Sequence, residues 1–196
     1  MSLISRIKPT LTSVSIEITS DCNMDCPYCF RKDRKVGNMD FELFKQVIDQ
    51  LPYYTRIGLS FGGESIVHPQ FKEMAEYAIK HKFRSIRLVT NGTLEYPNLP
   101  EIEIQNSIDL GQKPPKNLRT RFPFKYEHPI KRHKRCAELY RHLAILWNGD
   151  VTLCCNDIGG QLVFDNIKNK SIKEVWSGEH MRKLRKKGYC EGCCVY

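Results

Sequence analysis

Three closely spaced cysteines are the residues of this chain best suited to chemistry. Cys22, Cys26 and Cys29 directly follow the alternating apolar run 14–19, so a predicted strand ends in a loop rich in thiols. Three thiolates can hold three irons of a [4Fe-4S] cluster and leave the fourth iron open, whereas a structural cluster or a zinc site uses four ligands. The spacing alone leaves zinc as an alternative, because short cysteine clusters in intracellular chains are often zinc sites.

Length and composition limit the classes of protein to consider. The 196 residues suffice for one substantial core with at most a small appendage. The first residues lack the apolar stretch of a signal peptide, and no run approaches the roughly 18 apolar residues that span a membrane. We therefore expect a cytoplasmic protein without membrane contact. In that reducing compartment, nine cysteines favour metal ligation over disulfides.

The chain carries a formal net charge of +9. Its basic residues concentrate in the runs 31–35, 113–135 and 182–187. Such runs can contact phosphates or an acidic partner, although solvated surface is the simpler interpretation. The middle run also contains Phe122 and Phe124, and interleaved aromatics favour nucleic acid as an alternative partner.

Strands and helices alternate through the first half of the sequence. Apolar residues recur at helical spacing over 41–51, behind the N-cap candidate Asp40, and over 71–79. The segments 56–61, 85–89 and 101–109 are predicted strands. This alternation predicts a parallel sheet, in which ligands bind at the carboxyl ends of the strands. The loops after these strands should therefore converge on one face.

Two of these loops have unusual composition. Gly62 and Gly63 lack side chains, so the backbone there can approach a ligand closely, and the carboxylate of Glu64 beside the gap suits an ammonium group. An ordinary glycine turn before a helix is the alternative. The next loop contains Asn91 and Gly92, which also form a common turn.

Taken in order, the CxxxCxxC loop, the Gly-Gly-Glu segment and the Thr-Asn-Gly segment resemble the radical S-adenosylmethionine (SAM) enzymes. The resemblance implies that Cys22, Cys26 and Cys29 bind a [4Fe-4S] cluster whose open iron is chelated by the methionine moiety of SAM. It disfavours zinc in this loop. It also implies contacts with SAM from Tyr28, near the adenine, from the methionine-binding segment Gly62, Gly63 and Glu64, and from Asn91 and Ser107.

The second half resembles the SPASM and twitch extensions of the same family, which bind auxiliary iron–sulfur clusters. The apolar runs 143–147 and 151–153 flank Asn148-Gly149, a strong hairpin signal. The resemblance implies one auxiliary [4Fe-4S] cluster, whose ligands we expect among Cys136, one of Cys154 and Cys155, Cys190 and Cys193. A four-cysteine zinc site on a small hairpin domain is the alternative.

These features predict an α/β fold: a truncated, partial (β/α) barrel of parallel strands with a small cysteine-rich extension of hairpin and helix. We expect a core over 1–110, a basic connecting segment over 111–135 and an auxiliary cluster domain over 136–196. The connecting segment is too short for the βα units that would complete the family's barrel, since each unit needs roughly thirty residues. The open side would be covered by that segment, by a second copy in a homodimer or by a macromolecular substrate.

The resemblance implies reductive cleavage of SAM to a 5′-deoxyadenosyl radical, which then removes hydrogen from a substrate. An external donor such as flavodoxin or ferredoxin would supply the electron. Similar extensions occur in enzymes that modify peptides and proteins, so oxidation or crosslinking at a peptide or protein C–H position is the first expectation. Modification of a nucleotide or RNA, and a non-catalytic metal-binding interaction module, are the alternatives. The sequence identifies no catalytic acid or base.

Overall fold

A single mixed sheet organises the protein. The computed structural model describes residues 8–26, 29, 31, 34–106, 136–153, 157 and 159–188. Its strands are β1 Ser13–Ile16, β2 Arg56–Gly58, β3 Ser85–Thr90, β4 Ile102–Asn106, β5 His142–Ile145, β6 Asp150–Thr152 and β7 Val163–Asn166. Its helices are α1 Phe41–Asp49, α2 Phe71–Lys80, α3 Ile172–Ser177 and α4 Glu179–Lys187. Within the described residues the seven strands lie in the order β4-β3-β2-β1-β5-β6-β7.

The first four strands confirm the predicted parallel half of the sheet. β1 pairs with β2, β2 with β3 and β3 with β4, all in parallel. Helix α1 connects β1 to β2, and α2 connects β2 to β3. The connection from β3 to β4, over 91–101, contains no helix. Among the described residues the sheet is open rather than closed into a barrel, as the shortness of the connecting segment predicted.

The hairpin strands join the same sheet on the other side of β1. β5 runs parallel to β1 with Ser13 opposite His142, and Ile16 opposite Ile145. β6 then returns antiparallel to β5, and β7 pairs antiparallel with β6. Gly149 in the predicted turn has φ 87°, in the left-handed region that favours glycine. β1 is consequently a central strand with a parallel neighbour on each side.

Alternate side chains of the parallel strands pack against the helices. Val14, Ile57 and Ile86 are buried in one cluster with the apolar residues of α1 and α2. The intervening positions carry small or polar side chains that are half-buried or exposed: Ser13, Ser15, Gly58, Arg87 and Glu103. The period of two along each strand therefore separates an apolar face under the helices from a polar face.

Local capping explains where the helices begin and end. The carboxylate of Asp40 accepts hydrogen bonds from the backbone N–H groups of Glu42 and Leu43, at 2.8 and 3.4 Å, which confirms it as the N-cap of α1. At the end of α4, Gly188 has φ 85° and its N–H donates to the carbonyl of Leu184. No helix in the described ranges is both long and apolar enough to cross a membrane.

Candidate functional site

The loop that carries the three cysteines is closed at its base by hydrogen bonds. The backbone N–H of Ser20 donates to the carbonyl of Gly37 at 3.0 Å, and the N–H of Gly37 donates to Oγ of Ser20 at 2.9 Å. One residue further from the cysteines on each side, the hydroxyl of Thr19 donates to Oδ1 of Asn38 at 2.6 Å. The base of the loop is thus held by paired backbone and side-chain bonds.

The three thiols of this loop fit an iron–sulfur cluster. Cys22, Cys26 and Cys29 are half-buried, and none of them is in a disulfide. The N–H of Met24 donates to Sγ of Cys22 at 3.4 Å, and Nδ2 of Asn91 lies 3.8 Å from the same sulfur. Hydrogen bonds of this kind orient and tune the sulfur ligands of a metal site.

The number of thiols in this loop suits a [4Fe-4S] cluster. Among the described residues, no three side chains of His, Cys, Asp or Glu come together as ligands of one ion. A [4Fe-4S] cluster takes one thiolate for each iron, so its ligands need not converge on one atom. Three thiolates would hold three of the four irons and leave one iron open.

The Gly-Gly-Glu segment after β2 docks directly onto the cysteine loop. The N–H of Glu64 donates to the carbonyl of Asp21 at 2.7 Å. A Cβ atom on Gly63 would lie 2.4 Å from the carbonyl oxygen of Thr19 and 2.5 Å from that of Asp21. Gly63 is therefore required for the close approach of two backbone segments of the chain itself. Contact of Gly62 and Gly63 with SAM remains a prediction.

Glu64 and Asn91 join the loops after β2 and β3. Glu64 is 3% exposed, and its Oε2 accepts the N–H of Asn91 at 2.7 Å. The side chain of Asn91 then reaches the cysteine loop, where its Nδ2 donates to Oδ1 of Asn23 at 2.9 Å. Asn23 in turn donates to the hydroxyl of Thr93 at 2.7 Å. The loops after β1, β2 and β3 thus meet at one edge of the sheet, as their positions after parallel strands predicted.

A buried carboxylate that the sequence analysis did not identify lies beneath these loops. Glu17 is completely buried and forms two hydrogen bonds with Arg34, at 2.8 and 2.7 Å. It also accepts the N–H of Gly62 at 3.0 Å and the N–H of Trp147 at 3.4 Å. The available sequence signal was an acidic residue within the apolar run 14–19, because a charge buried there needs a partner.

The described part of the predicted auxiliary site lies at the end of α4. The N–H of Cys136 donates to the carbonyl of Gly188 at 2.8 Å. Gly188 precedes the predicted ligand Cys190 by two residues in the sequence. Six of the predicted site residues fall outside the described residues: Tyr28, Ser107, Cys154, Cys155, Cys190 and Cys193.

Asp157 anchors the segment that follows the Cys154-Cys155 pair. It is 3% exposed, and its Oδ2 accepts the hydroxyl of Thr152 at 2.6 Å and the N–H of Leu162 at 2.8 Å. Its Oδ1 accepts the N–H of Gln161 at 2.8 Å. This carboxylate therefore ties the residues before the cysteine pair to those that lead into β7.

We expect Asp157→Ala to lose the auxiliary cluster and to retain the first one. The change removes the acceptor of all three bonds and leaves buried donors unpaired. Iron per reconstituted chain should fall from about eight atoms to about four. The matched control is Asp165→Asn, since Asp165 lies on β7 and bonds to the exposed Lys170. A content of about eight irons in Asp157→Ala would contradict this assignment.

A surface cavity of about 300 Å³ lies at the base of the cysteine loop. It is beside the hairpin turn and is lined in part by Asn38, Asp40, Trp147 and Lys168. None of the predicted ligands of a cluster or of SAM lines it. Because the cavity contains none of these predicted ligands, the candidate site is assigned from the loops and not from cavity volume.

Comparison with known proteins gives two matching family models. Residues 16–152 match the radical SAM superfamily, and residues 136–194 match SPASM, an iron–sulfur cluster-binding domain. The first match covers more than half of the chain. The second includes every cysteine that we expect to hold the auxiliary cluster.

Two curated relatives match the chain over a limited length. A tungsten-containing aldehyde ferredoxin oxidoreductase cofactor-modifying protein of Pyrococcus furiosus is 37% identical over 84 residues, which is 40% of this chain and 23% of the relative. The antilisterial bacteriocin subtilosin biosynthesis protein AlbA of Bacillus subtilis is 33% identical over 89 residues, which is 44% of this chain and 20% of AlbA. The matches thus cover less than a quarter of either relative.

Two solved structures share the fold at low sequence identity. BtrN in complex with AdoMet and 2-DOIA has a TM-score of 0.69 at 16% identity, over 93% of this chain and 88% of BtrN. SuiB of Streptococcus suis bound to the precursor peptide SuiA has a TM-score of 0.68 at 10% identity, over 90% of this chain and 67% of SuiB. The SPASM match implies auxiliary iron–sulfur. Because the radical SAM model matches more than half of it, this chain belongs to the radical SAM superfamily, an enzyme family that uses a [4Fe-4S] cluster and SAM.

Proposed function

We propose that this chain cleaves SAM reductively at a cluster held by Cys22, Cys26 and Cys29, and that the resulting radical removes hydrogen from a peptide or protein. The observation that carries the proposal is the meeting of three strand-end loops. The N–H of Glu64 bonds to Asp21, the N–H of Asn91 bonds to Glu64, and the amide of Asn91 approaches the sulfur of Cys22. These contacts support one shared site for cluster and cosubstrate.

When bound, the cluster and SAM together supply the electron transfer and the 5′-deoxyadenosyl radical chemistry of the family. The residues of this chain supply position. The Glu64 carboxylate accepts the N–H groups of Asn91 and Ile66, and its backbone N–H donates to Asp21 of the cysteine loop. Such fixed geometry lowers the entropic cost of bringing reacting groups together. An external donor such as flavodoxin or ferredoxin would provide the electron.

The proposal of a peptide or protein substrate is supported by the names of two similar proteins. AlbA is described as a bacteriocin biosynthesis protein, and SuiB is described as bound to a precursor peptide. We assign the core over 1–110 to SAM cleavage and the segment over 136–196 to an auxiliary cluster that serves the substrate reaction. This division of labour is part of the proposal.

The first test measures iron and 5′-deoxyadenosine. Wild type reconstituted without oxygen should contain about eight irons and form 5′-deoxyadenosine after reduction with dithionite. The triple variant Cys22→Ala, Cys26→Ala, Cys29→Ala should keep about four irons and form none. Zinc in place of iron, or full iron without 5′-deoxyadenosine from wild type, would overturn the proposed reaction.

A second test identifies the class of substrate. Peptides and nucleotides are prepared separately from cells grown in deuterated medium, and each fraction is incubated with reduced enzyme and unlabelled SAM. Transfer of deuterium into 5′-deoxyadenosine from the peptide fraction, measured by mass spectrometry, is the expected result. Transfer from the nucleotide fraction alone would replace the peptide proposal with nucleotide or RNA modification.

A further inference from the structure

Glu17 is bonded to three segments that are distant along the chain. Arg34 belongs to the far end of the cysteine loop, Gly62 to the segment after β2, and Trp147 to the hairpin after β5. The backbone N–H of Glu17 itself donates to the carbonyl of Ile145 at 2.8 Å, which continues the pairing of β1 with β5. One residue thus has its acceptor atoms and its donor committed to the loops of the radical SAM core and to the SPASM hairpin.

Glu17 and Arg34 form a buried, bidentate ion pair. The carboxylate is fully buried, and the side chain of Arg34 is 11% exposed. Both carboxylate oxygens accept a guanidinium N–H, at 2.8 and 2.7 Å, and a bidentate pair of this kind fixes orientation as well as distance. Each oxygen also accepts one backbone N–H, from Gly62 or from Trp147. A displacement of any one segment therefore disturbs the bonds of the others.

A second contact joins the hairpin to the base of the cysteine loop. The ring of Trp147 lies against Gly37, where a Cβ atom would be 2.4 Å from two ring carbons. Gly37 is the residue whose carbonyl and N–H close the loop through Ser20. Trp147 consequently touches the cysteine loop through its ring and the Glu17 carboxylate through its backbone. Both contacts run from the auxiliary half of the chain to the first cysteine site.

We propose that Glu17 and Arg34 are positioning residues that couple the SPASM hairpin to SAM binding at the first cluster. Through this coupling, the Gly62-Gly63 segment keeps its contact with the cysteine loop only while the hairpin is bonded to Glu17. This inference rests on the proposed function for its SAM readout. The structural part of the inference, which is the link between Gly62 and Trp147 through the Glu17 carboxylate, does not depend on the reaction.

The test compares three variants with one matched control in the reconstituted full chain. Glu17→Gln keeps the shape of the side chain and removes its charge, Arg34→Lys keeps the charge and removes the bidentate geometry, and the double variant Glu17→Met, Arg34→Met removes both charges. The control is Glu103→Gln. Glu103 forms an Arg–Glu pair between two strands, with Arg87 at 3.1 Å, but both side chains are more than half exposed.

Two readouts separate positioning from general stability. We expect the Kd for SAM, measured by equilibrium dialysis on folded protein, to rise at least tenfold in Glu17→Gln and in the double variant, less in Arg34→Lys, and not in Glu103→Gln. In Glu17→Gln and the double variant, we also expect faster amide hydrogen exchange both in the peptide that contains Gly62 and in the peptide that contains Trp147. The exchange readout stays informative if wild type binds no SAM, so failure of the proposed function and failure of the coupling give different results.

The double variant keeps the inference open to contradiction if the single variants fold poorly. A lone buried charge is itself destabilising, whereas an apolar replacement of both partners is often tolerated. If the double variant binds SAM within twofold of wild type, or if exchange accelerates only near residue 34, the carboxylate does not couple the two halves. Loss of thermal stability in all variants with unchanged Kd would also overturn the inference.

Discussion

Replacing Gly63 with alanine is expected to lower 5′-deoxyadenosine formation by about 100-fold. The added methyl group would lie within 2.5 Å of two carbonyl oxygens, those of Thr19 and Asp21. These atoms belong to backbone that is already fixed by the closed cysteine loop, so the two segments must move apart. The same overpacking should lower the free energy of unfolding by about 1–3 kcal/mol. Initial rates after dithionite reduction and urea unfolding curves measure the two effects.

Gly58→Ala is the matched control for this prediction. Gly58 lies on β2, and its added Cβ atom would meet Oγ of Ser15 at 3.6 Å, which is ordinary contact. The change should leave SAM cleavage intact and leave stability unchanged or raise it by about 0.4–1 kcal/mol. Equal losses in Gly58→Ala and Gly63→Ala would show that any substitution near this end of β2 is damaging. The special role of Gly63 would then be rejected.

Acidification is expected to destabilise the protein through His142. This buried residue begins β5 beside Ser13 of β1, and burial lowers its pKa from 6.5 to about 4, while Glu138 opposes and Arg141 adds to the effect. Its Nδ1 lies 3.3 Å from the hydroxyl of Ser13, and nothing in the described residues bonds to its Nε2. Only the neutral form is therefore well accommodated in the fold.

The direction and size of this pH effect follow from proton linkage. Between pH 6.5 and 4 the unfolded chain binds the proton and the folded chain does not, so stability falls as the pH is lowered through this window. The expected loss between pH 7.5 and pH 5 is about 2 kcal/mol from this residue. Urea unfolding of wild type and of His142→Leu at both pH values isolates it from the carboxylates. Parallel profiles of the two proteins down to pH 5 would contradict the prediction.

Local features of the fold could be predicted from the sequence because their causes are local. Asp40 caps α1 through bonds to residues two and three positions further on, and the turn at Gly149 needs a left-handed residue at that one position. The order of the loops after β1, β2 and β3 follows from alternating strands and helices. The meeting of Glu64 with Asn91 is a consequence of that order.

The role of Glu17 and the position of β5 could not be predicted in the same way. Ser13 and His142 are paired neighbours in the sheet but are 129 residues apart in the chain. No periodicity within a short window encodes such a pairing. A prediction from sequence that does not place β5 beside β1 leaves Glu17 exposed to solvent. In the same prediction, Arg34 is one cation in a basic run. The burial of both depends on the distant hairpin.

The position of β1 between β2 and β5 also has a consequence for biosynthesis. At roughly 5–20 residues per second, the ribosome makes β5 roughly 6–26 seconds after β1. During that interval β1 has one of its two neighbours, and Glu17 has neither Ile145 nor Trp147 to bind. The cysteine loop is complete in sequence long before its support exists. Its final geometry is therefore reached only after the hairpin has been made, so we expect iron to enter a correctly shaped site only then.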